Sequence, residues 1–190
     1  MQEPSEEHAR STRYILPPVA LPLVRELLGE CNRSTLNTSF YFKGKDTRLI
    51  RLREYGTSKG SNYVLQQRER SQKDTKRPIT LPELDLVLRD LRELPVTRCT
   101  RQHWTYPDYR VLLDTDIQFF RPNGLWKRQQ EKSLSALLGP PDAVFQKAIV
   151  ECTPGTPKEL HTQLIRHAGQ RARANKLTLA QSLLDAWYYV

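Results

Sequence analysis

The sequence predicts an α+β protein, an antiparallel β-barrel with helices packed on its outside. Three observations carry that prediction. Strand-like segments recur at 38–43 (TSFYFK), 47–55 (TRLIRLREY), 62–70 (NYVLQQRER), 96–103, 109–120 (YRVLLDTDIQFF) and 144–153 (VFQKAIVECT), punctuated by Gly and Pro. Apolar and charged side chains alternate within several of them, so each strand would have an oily face and a charged face. Amphipathic helical stretches lie between the strands and can cover the oily faces from outside, which leaves the charged faces to surround a lumen.

The elements follow in order. Tyr14 and Ile15 read as a short strand stopped by Pro17 and Pro18, and Leu21, Val24, Leu27, Leu28 and Cys31 recur at helical spacing up to Gly29 and Asn32. The strands at 38–43, 47–55 and 62–70 come next as hairpins, with Gly44, Gly56, Gly60 and Pro78 between or behind them. Thr80 and Glu83 form a capping box ahead of Leu84, Val87, Leu88, Leu91 and Leu94, predicting a helix over 81–94 that Pro95 ends. After the strands at 96–103 and 109–120, Pro122, Gly124, Gly139, Pro140 and Pro141 bracket a loop with a short helix over 121–141. Beyond 144–153, Thr156, Pro157 and Glu159 open a helix to about residue 169, and a last helix spans roughly 178–188.

At 190 residues one substantial core is expected, hence a single domain over 10–190 behind a flexible N-terminus at 1–9. Residues 1–9 are polar and acidic and lack the pattern of a secretory signal, so a cytoplasmic location is expected. No apolar run approaches the roughly 18 residues of a membrane helix, so no membrane insertion by this chain is expected, while a membrane-bound partner stays open. Cys31, Cys99 and Cys152 are widely spaced and read as reduced thiols, with neither a disulfide framework nor a zinc site. A net charge of +9 favours a polyanionic partner, either nucleic acid, nucleotide, polyphosphate or an acidic membrane surface. The absence of a Walker-type glycine loop excludes a P-loop nucleotidase.

The charges have a definite placement. In 47–55, Ile50 and Leu52 share one face and Arg51 and Arg53 the other; in 62–70, Gln66, Arg68 and Arg70 share a face. In 109–120, Val111, Leu113, Ile117 and Phe119 oppose Arg110, Asp114, Asp116 and Gln118, and in 144–153 Lys147, Glu151 and Thr153 lie together. A sheet with one wet side would show the same alternation. Arg, however, outnumbers Lys at these positions, and its planar fork matches phosphate oxygens. A lumen crowded with guanidinium groups implies an anion that neutralises it. His103 and His161 have no partner at ligand spacing, Cys152 reads as a packed thiol, and Trp104, Tyr106 and Tyr109 read as core or rim packing.

The succession STRYILPP, SFYF, RLIRLREYG, YVLQQRER with KDTKR behind it, RVLLDTDIQF, AIVECT and RANKLTLAQSLL spans about residues 10–184. In this order the segments resemble the triphosphate tunnel metalloenzyme superfamily, and within it most nearly the polyphosphate polymerase domain of the vacuolar transporter chaperone family. The resemblance implies a basic tunnel that binds a phosphate chain and transfers phosphate from a nucleoside triphosphate to inorganic polyphosphate with Mn²⁺ or Mg²⁺. It implies that Arg13, Arg51, Arg53, Arg68 and Lys176 grip the phosphates, with Arg51, Arg53, Arg68 and Lys176 as the catalytic set. Lys76 or Arg77 matches a further basic position, and Arg110 and Lys147 complete the expected basic lining. Glu151 falls at the acidic metal-ligand position, with Asp114 and Asp116 as further metal ligands, as groups orienting a water, or as salt-bridge partners of neighbouring Arg.

The sequence departs from the family pattern at Ser11 and Gln66, where Glu is usual, and at Cys152 and Thr153 after Glu151. A divalent cation on phosphate needs hard oxygen donors, so the basic grip is better kept than the metal site. Two alternatives follow: a triphosphatase of the same fold, or a non-catalytic module binding polyphosphate, nucleotide or RNA.

Overall fold

The computed structural model describes residues 11–45, 48–57, 60–68, 75–122, 124, 127, 133–168 and 175–185. The predicted N-terminal stretch 1–9 and the end of the last predicted helix at 186–188 lie outside them. β1 (Thr12–Leu16) leads through a 3-10 turn at Pro18–Ala20 into α1 (Leu21–Leu28). The helix stops where Gly29 takes φ 73°, short of Cys31, because a left-handed residue ends the ladder and glycine adopts it without a Cβ clash. β2 (Arg33–Lys43), β3 (Leu49–Thr57) and β4 (Gly60–Arg68) are the three predicted hairpin strands, with β2 beginning earlier than residue 38. β5 (Thr75–Ile79) goes beyond the prediction: Pro78 reads as a separator, but β5 ends the path of paired strands, where a residue without N–H is tolerated.

α2 (Leu81–Leu88) starts at the predicted box, where the Glu83 carboxylate accepts from both the N–H and the hydroxyl of Thr80 at 2.7 Å. It does not continue to 94. Arg92 to Pro95 already belong to β6 (Arg92–Thr105), and Leu94 packs from extended backbone against Tyr41 and Leu177. Its spacing fits a helix, but tertiary packing decides its conformation. β7 (Arg110–Phe120) precedes a 3-10 turn at Leu134–Leu137, within the predicted loop. The predicted strand 144–153 is divided into β8 (Ala143–Phe145) and β9 (Ala148–Cys152), and Lys147, in the bend between them, therefore does not share a strand face with Glu151. α3 (Lys158–Ala168) and α4 (Lys176–Asp185) close the described chain. Asn175 caps α4 by accepting from the Thr178 N–H at 2.9 Å, which brings Lys176 into the first turn.

The fold is α+β and antiparallel, as predicted. The strands pair in the order β1-β9-β7-β6-β2-β3-β4-β5, with β8 on β7. Two compact units form, one from 1–34, 101–115 and 146–173 and the other from 35–100, 116–145 and 174–190, so β6 and β7 contribute to both. In the first unit, Val24 and Leu28 of α1 and Leu164 of α3 pack on Tyr14, Leu16, Val111, Leu113 and Val150. In the second, Leu84 and Leu88 of α2 and Leu134 pack on Phe40, Phe42, Ile50, Leu52, Tyr63 and Leu65. Glu54 is buried beside this second core because Ser61, Ser133, the Ser135 hydroxyl and the Ser135 N–H all donate to it. α4 behaves differently from the covering helices: its Leu177 packs on Tyr41 and Leu49, away from that oily core.

Candidate functional site

Residues directly opposed on antiparallel strands share a face. In the second unit the register opposes Ser39 to Arg53 and Tyr41 to Arg51 between β2 and β3, then Arg51 to Gln66 in β4 and Gln66 to Lys76 in β5. The oily set Phe40, Phe42, Ile50, Leu52 and Leu65 alternates with these positions, so Arg51 and Arg53 lie on the opposite face, as the sequence predicts. Gln66 is buried and its side-chain oxygen accepts from the Arg51 guanidinium. Arg53 donates to the Tyr55 hydroxyl at 3.2 Å and lies 5.8 Å from that ring's centre, while its buried Nε–H has no acceptor among the described residues. Lys176 donates from Nζ to the sulfur of buried Cys99 at 3.2 Å.

The charge around Tyr41 ties these groups together. Burial would push its phenol up, but Arg51 and Lys176, then a hydrogen bond with Thr97 and the charge of Arg53, bring it below the ordinary value of 10.0. In the register Arg51 lies opposite Tyr41 and Arg53 opposite Ser39, and Leu177, next to Lys176, packs in the same cluster as the Tyr41 ring. Lys76 is exposed, and Arg68 pairs with Leu49 in register, its side chain lying outside the described residues.

The first unit holds its charges in pairs. Arg13 donates to Glu151 at 3.2 and 3.4 Å across the β1–β9 register, and buried Arg101 grips buried Asp114 through two bonds of 2.6 and 2.7 Å. Arg110 is exposed, its backbone N–H donating to the Thr153 hydroxyl at 2.7 Å, and Lys147 is exposed. His103 is held down to about 4 by burial, then by Arg33 and Arg101. Asp116, assigned to the second unit, is exposed with φ 51°. Other predicted packing roles appear plainly in the side chains: Cys152 is buried, with burial and then Glu151 pushing its thiol up to about 12, and Trp104 is buried and donates to the Gly29 carbonyl at 3.0 Å. His161 meets the Tyr14 hydroxyl at 2.5 Å.

Sequence reasoning missed Tyr41 and Arg101. Tyr41 sits in an apolar-looking run, SFYF, and only its parity with Ser39 and Lys43 hinted at the charged face. Arg101 belongs to a strand whose two faces are not visibly different in sequence.

The acidic set does not fit Mn²⁺ or Mg²⁺. Both oxygens of Asp114 are engaged by Arg101, both of Glu151 by Arg13, and Asp116 is exposed. Among the described residues no group of three His, Cys, Asp or Glu side chains is placed to hold a cation. A hard divalent ion needs several oxygen donors converging on one point.

No family model matches the sequence, and no curated protein matches it. Solved structures do. The PH1819 protein of Pyrococcus horikoshii OT3 superposes with a TM-score of 0.63 at 14% identity, covering 93% of this chain and 98% of its own. A Vibrio parahaemolyticus protein described as an adenylate cyclase gives 0.53 at 9% identity, covering 88% and 95%. The chain shares its fold with these proteins. The same fold is found in the Mediator head module of Schizosaccharomyces pombe, with a TM-score of 0.50 at 14% identity over 93% of this chain and 94% of that one. One fold thus serves a protein described as an enzyme and an assembly subunit, so the function must be argued from the site.

Proposed function

We propose that this protein binds a chain of phosphates, from a nucleoside triphosphate or inorganic polyphosphate, on the Arg51, Arg53 and Lys176 face, and that it does so as a binding module. The observation that supports this reading is that Arg51 and Arg53 lie opposite Tyr41 and Ser39 in the strand register with Leu177, beside Lys176, packed near Tyr41, and that a buried guanidinium N–H of Arg53 has no acceptor among the described residues. Phosphate oxygens supply both the charge and the acceptors that such a face needs. Lys76 and Arg68, in the same unit, are further candidates for lengthening the grip. Transfer of phosphate to a growing chain, the activity implied by the resemblance, would require a cation-holding carboxylate set. The engagement of Asp114 and Glu151 by arginines favours binding over turnover.

Calorimetry with tripolyphosphate and ATP tests the reading. The Arg51→Ala/Arg53→Ala variant should lose affinity by about ten- to a hundredfold per arginine, since a hydrogen bond to a charged group contributes roughly 1.5–3 kcal/mol. It should keep its fold, because removing like charges relieves repulsion. Unchanged affinity in the double variant, or a preference for long RNA over tripolyphosphate, would refute the assignment. Incubation with ATP and Mn²⁺ should yield neither orthophosphate nor polyphosphate; product formation would show that the protein is an enzyme.

A further inference from the structure

The face opposite the oily core changes character along its length. The register sets three successive rows of opposed residues on it: Tyr41, Arg51, Gln66 and Lys76; then Ser39, Arg53, Val64 and Pro78; then Asn37, Tyr55 and Asn62. Neighbouring rows are two residues apart on each strand, so Asn37 lies about 7 Å along β2 from the row of Arg53 and about 14 Å from that of Arg51. The third row carries no ionised side chain, only two carboxamides and a phenol ring. Asn37 is 5% exposed, and its side-chain oxygen is buried with no hydrogen-bond partner among the described residues. One row along, the Nε–H of Arg53 is a buried donor in the same condition. Tyr55 joins the two rows: it stands opposite Asn37, and its hydroxyl accepts from Arg53 at 3.2 Å.

The two unmet atoms make opposite demands. An ionised phosphate offers acceptors alone, so it can meet the Arg53 N–H but would set oxygen against oxygen at Asn37. A buried acceptor left unmade is costly, and native proteins rarely keep one. Asn37 therefore calls for an N–H or O–H donor, about two rows from the place where Arg51 calls for phosphate. We propose that the ligand of this face is a nucleoside triphosphate held in one orientation, with its phosphates on Arg53 and Arg51 and a donor of its nucleoside on the Asn37 side-chain oxygen. The inference rests on the phosphate-binding reading and narrows it. Ribose hydroxyls and the exocyclic amine of a base both supply such a donor, and the extended molecule spans the rows from nucleoside to terminal phosphate. The Tyr55 ring, in the same row as Asn37, offers an aromatic surface to a base. Ionised inorganic tripolyphosphate has no donor and satisfies only the basic part of the face.

Calorimetry at pH 8.5, in EDTA and at fixed ionic strength, compares ATP with tripolyphosphate. Charge by itself favours tripolyphosphate, the more highly charged of the two. ATP should nevertheless bind the wild type about three- to tenfold more tightly, the range of one added hydrogen bond. Asn37→Ala should remove this preference by weakening ATP while leaving tripolyphosphate unchanged. Two analogues identify the donor in the wild type alone, and so decide the matter even where the variant does not fold: purine riboside triphosphate lacks the exocyclic amine, and 2′,3′-dideoxy-ATP lacks the ribose hydroxyls. Loss of the preference with either analogue supports the assignment and names the donor. Full affinity with both analogues, a preference that persists in folded Asn37→Ala, or ATP binding no more tightly than tripolyphosphate would overturn the nucleoside assignment alone. Failure of both ATP and tripolyphosphate to bind would overturn the phosphate-binding reading and this inference with it.

Discussion

Arg101 and Asp114 illustrate how a single residue can change what its neighbours are able to do. Both are buried, with side-chain exposures of 9% and 3%, and their two parallel bonds give the fork geometry in which a buried pair is tolerated. Removing one partner is the costly change. Asp114→Ala should destabilise the protein by about 3–5 kcal/mol in chemical denaturation, because it leaves a buried guanidinium without its carboxylate, whereas an apolar replacement of both residues should cost much less. His103, on the same strand as Arg101, gives a pH signature. Its folded value of about 4 lies below the 6.5 of the exposed side chain, so the unfolded chain takes up the proton first on acidification. Its contribution should be complete above 6.5 and fall away as pH drops through 4; His103→Gln should flatten that part of a stability–pH curve. Arg53, by contrast, keeps a buried Nε–H without an acceptor among the described residues, and this makes it the stronger binding candidate.

At the scale of elements, the turn between β9 and α3 depends on one glycine. Gly155 has φ 89°, and a Cβ there would lie 2.7 Å from the Asp108 carbonyl oxygen, a backbone atom that cannot swing aside. Gly155→Ala should therefore cost about 1–3 kcal/mol from the backbone conformation, with the close contact adding to it, as read by the thermal midpoint. β3 was legible from sequence because its two-residue period is local: Ile50 and Leu52 face the core whatever strand lies beside them. The 81–94 stretch was only half legible. Leu84 and Leu88 do form a helical face, but the same spacing continues to Leu91 and Leu94, and only the partners of Leu94 make it extended. Pro78 misled in the opposite direction, since a proline marks a break unless the strand has an edge to spare.

Over the whole molecule the net charge is +9, and among the described residues Arg13 and Arg101 are tied to carboxylates while Arg51 and Arg53 lie on the face opposite the oily core. Two measurements follow from that division. Tripolyphosphate affinity should fall as salt is raised, as for any polyanion held by several cations, and it should be the same in EDTA as in Mn²⁺, since the carboxylates suited to a metal are engaged. A large loss of affinity in EDTA would mean that a cation is held by residues other than Asp114 and Glu151. The order of the elements, the basic balance and the alternation that separates Arg51 and Arg53 from the oily core follow from the sequence itself, because backbone geometry sends successive side chains to opposite faces without reference to distant residues. Which arginine meets a carboxylate, and which instead stands beside Tyr41 and Lys176, depended on strand register and helix placement. Those are long-range choices made by packing, and spacing along the chain does not encode them.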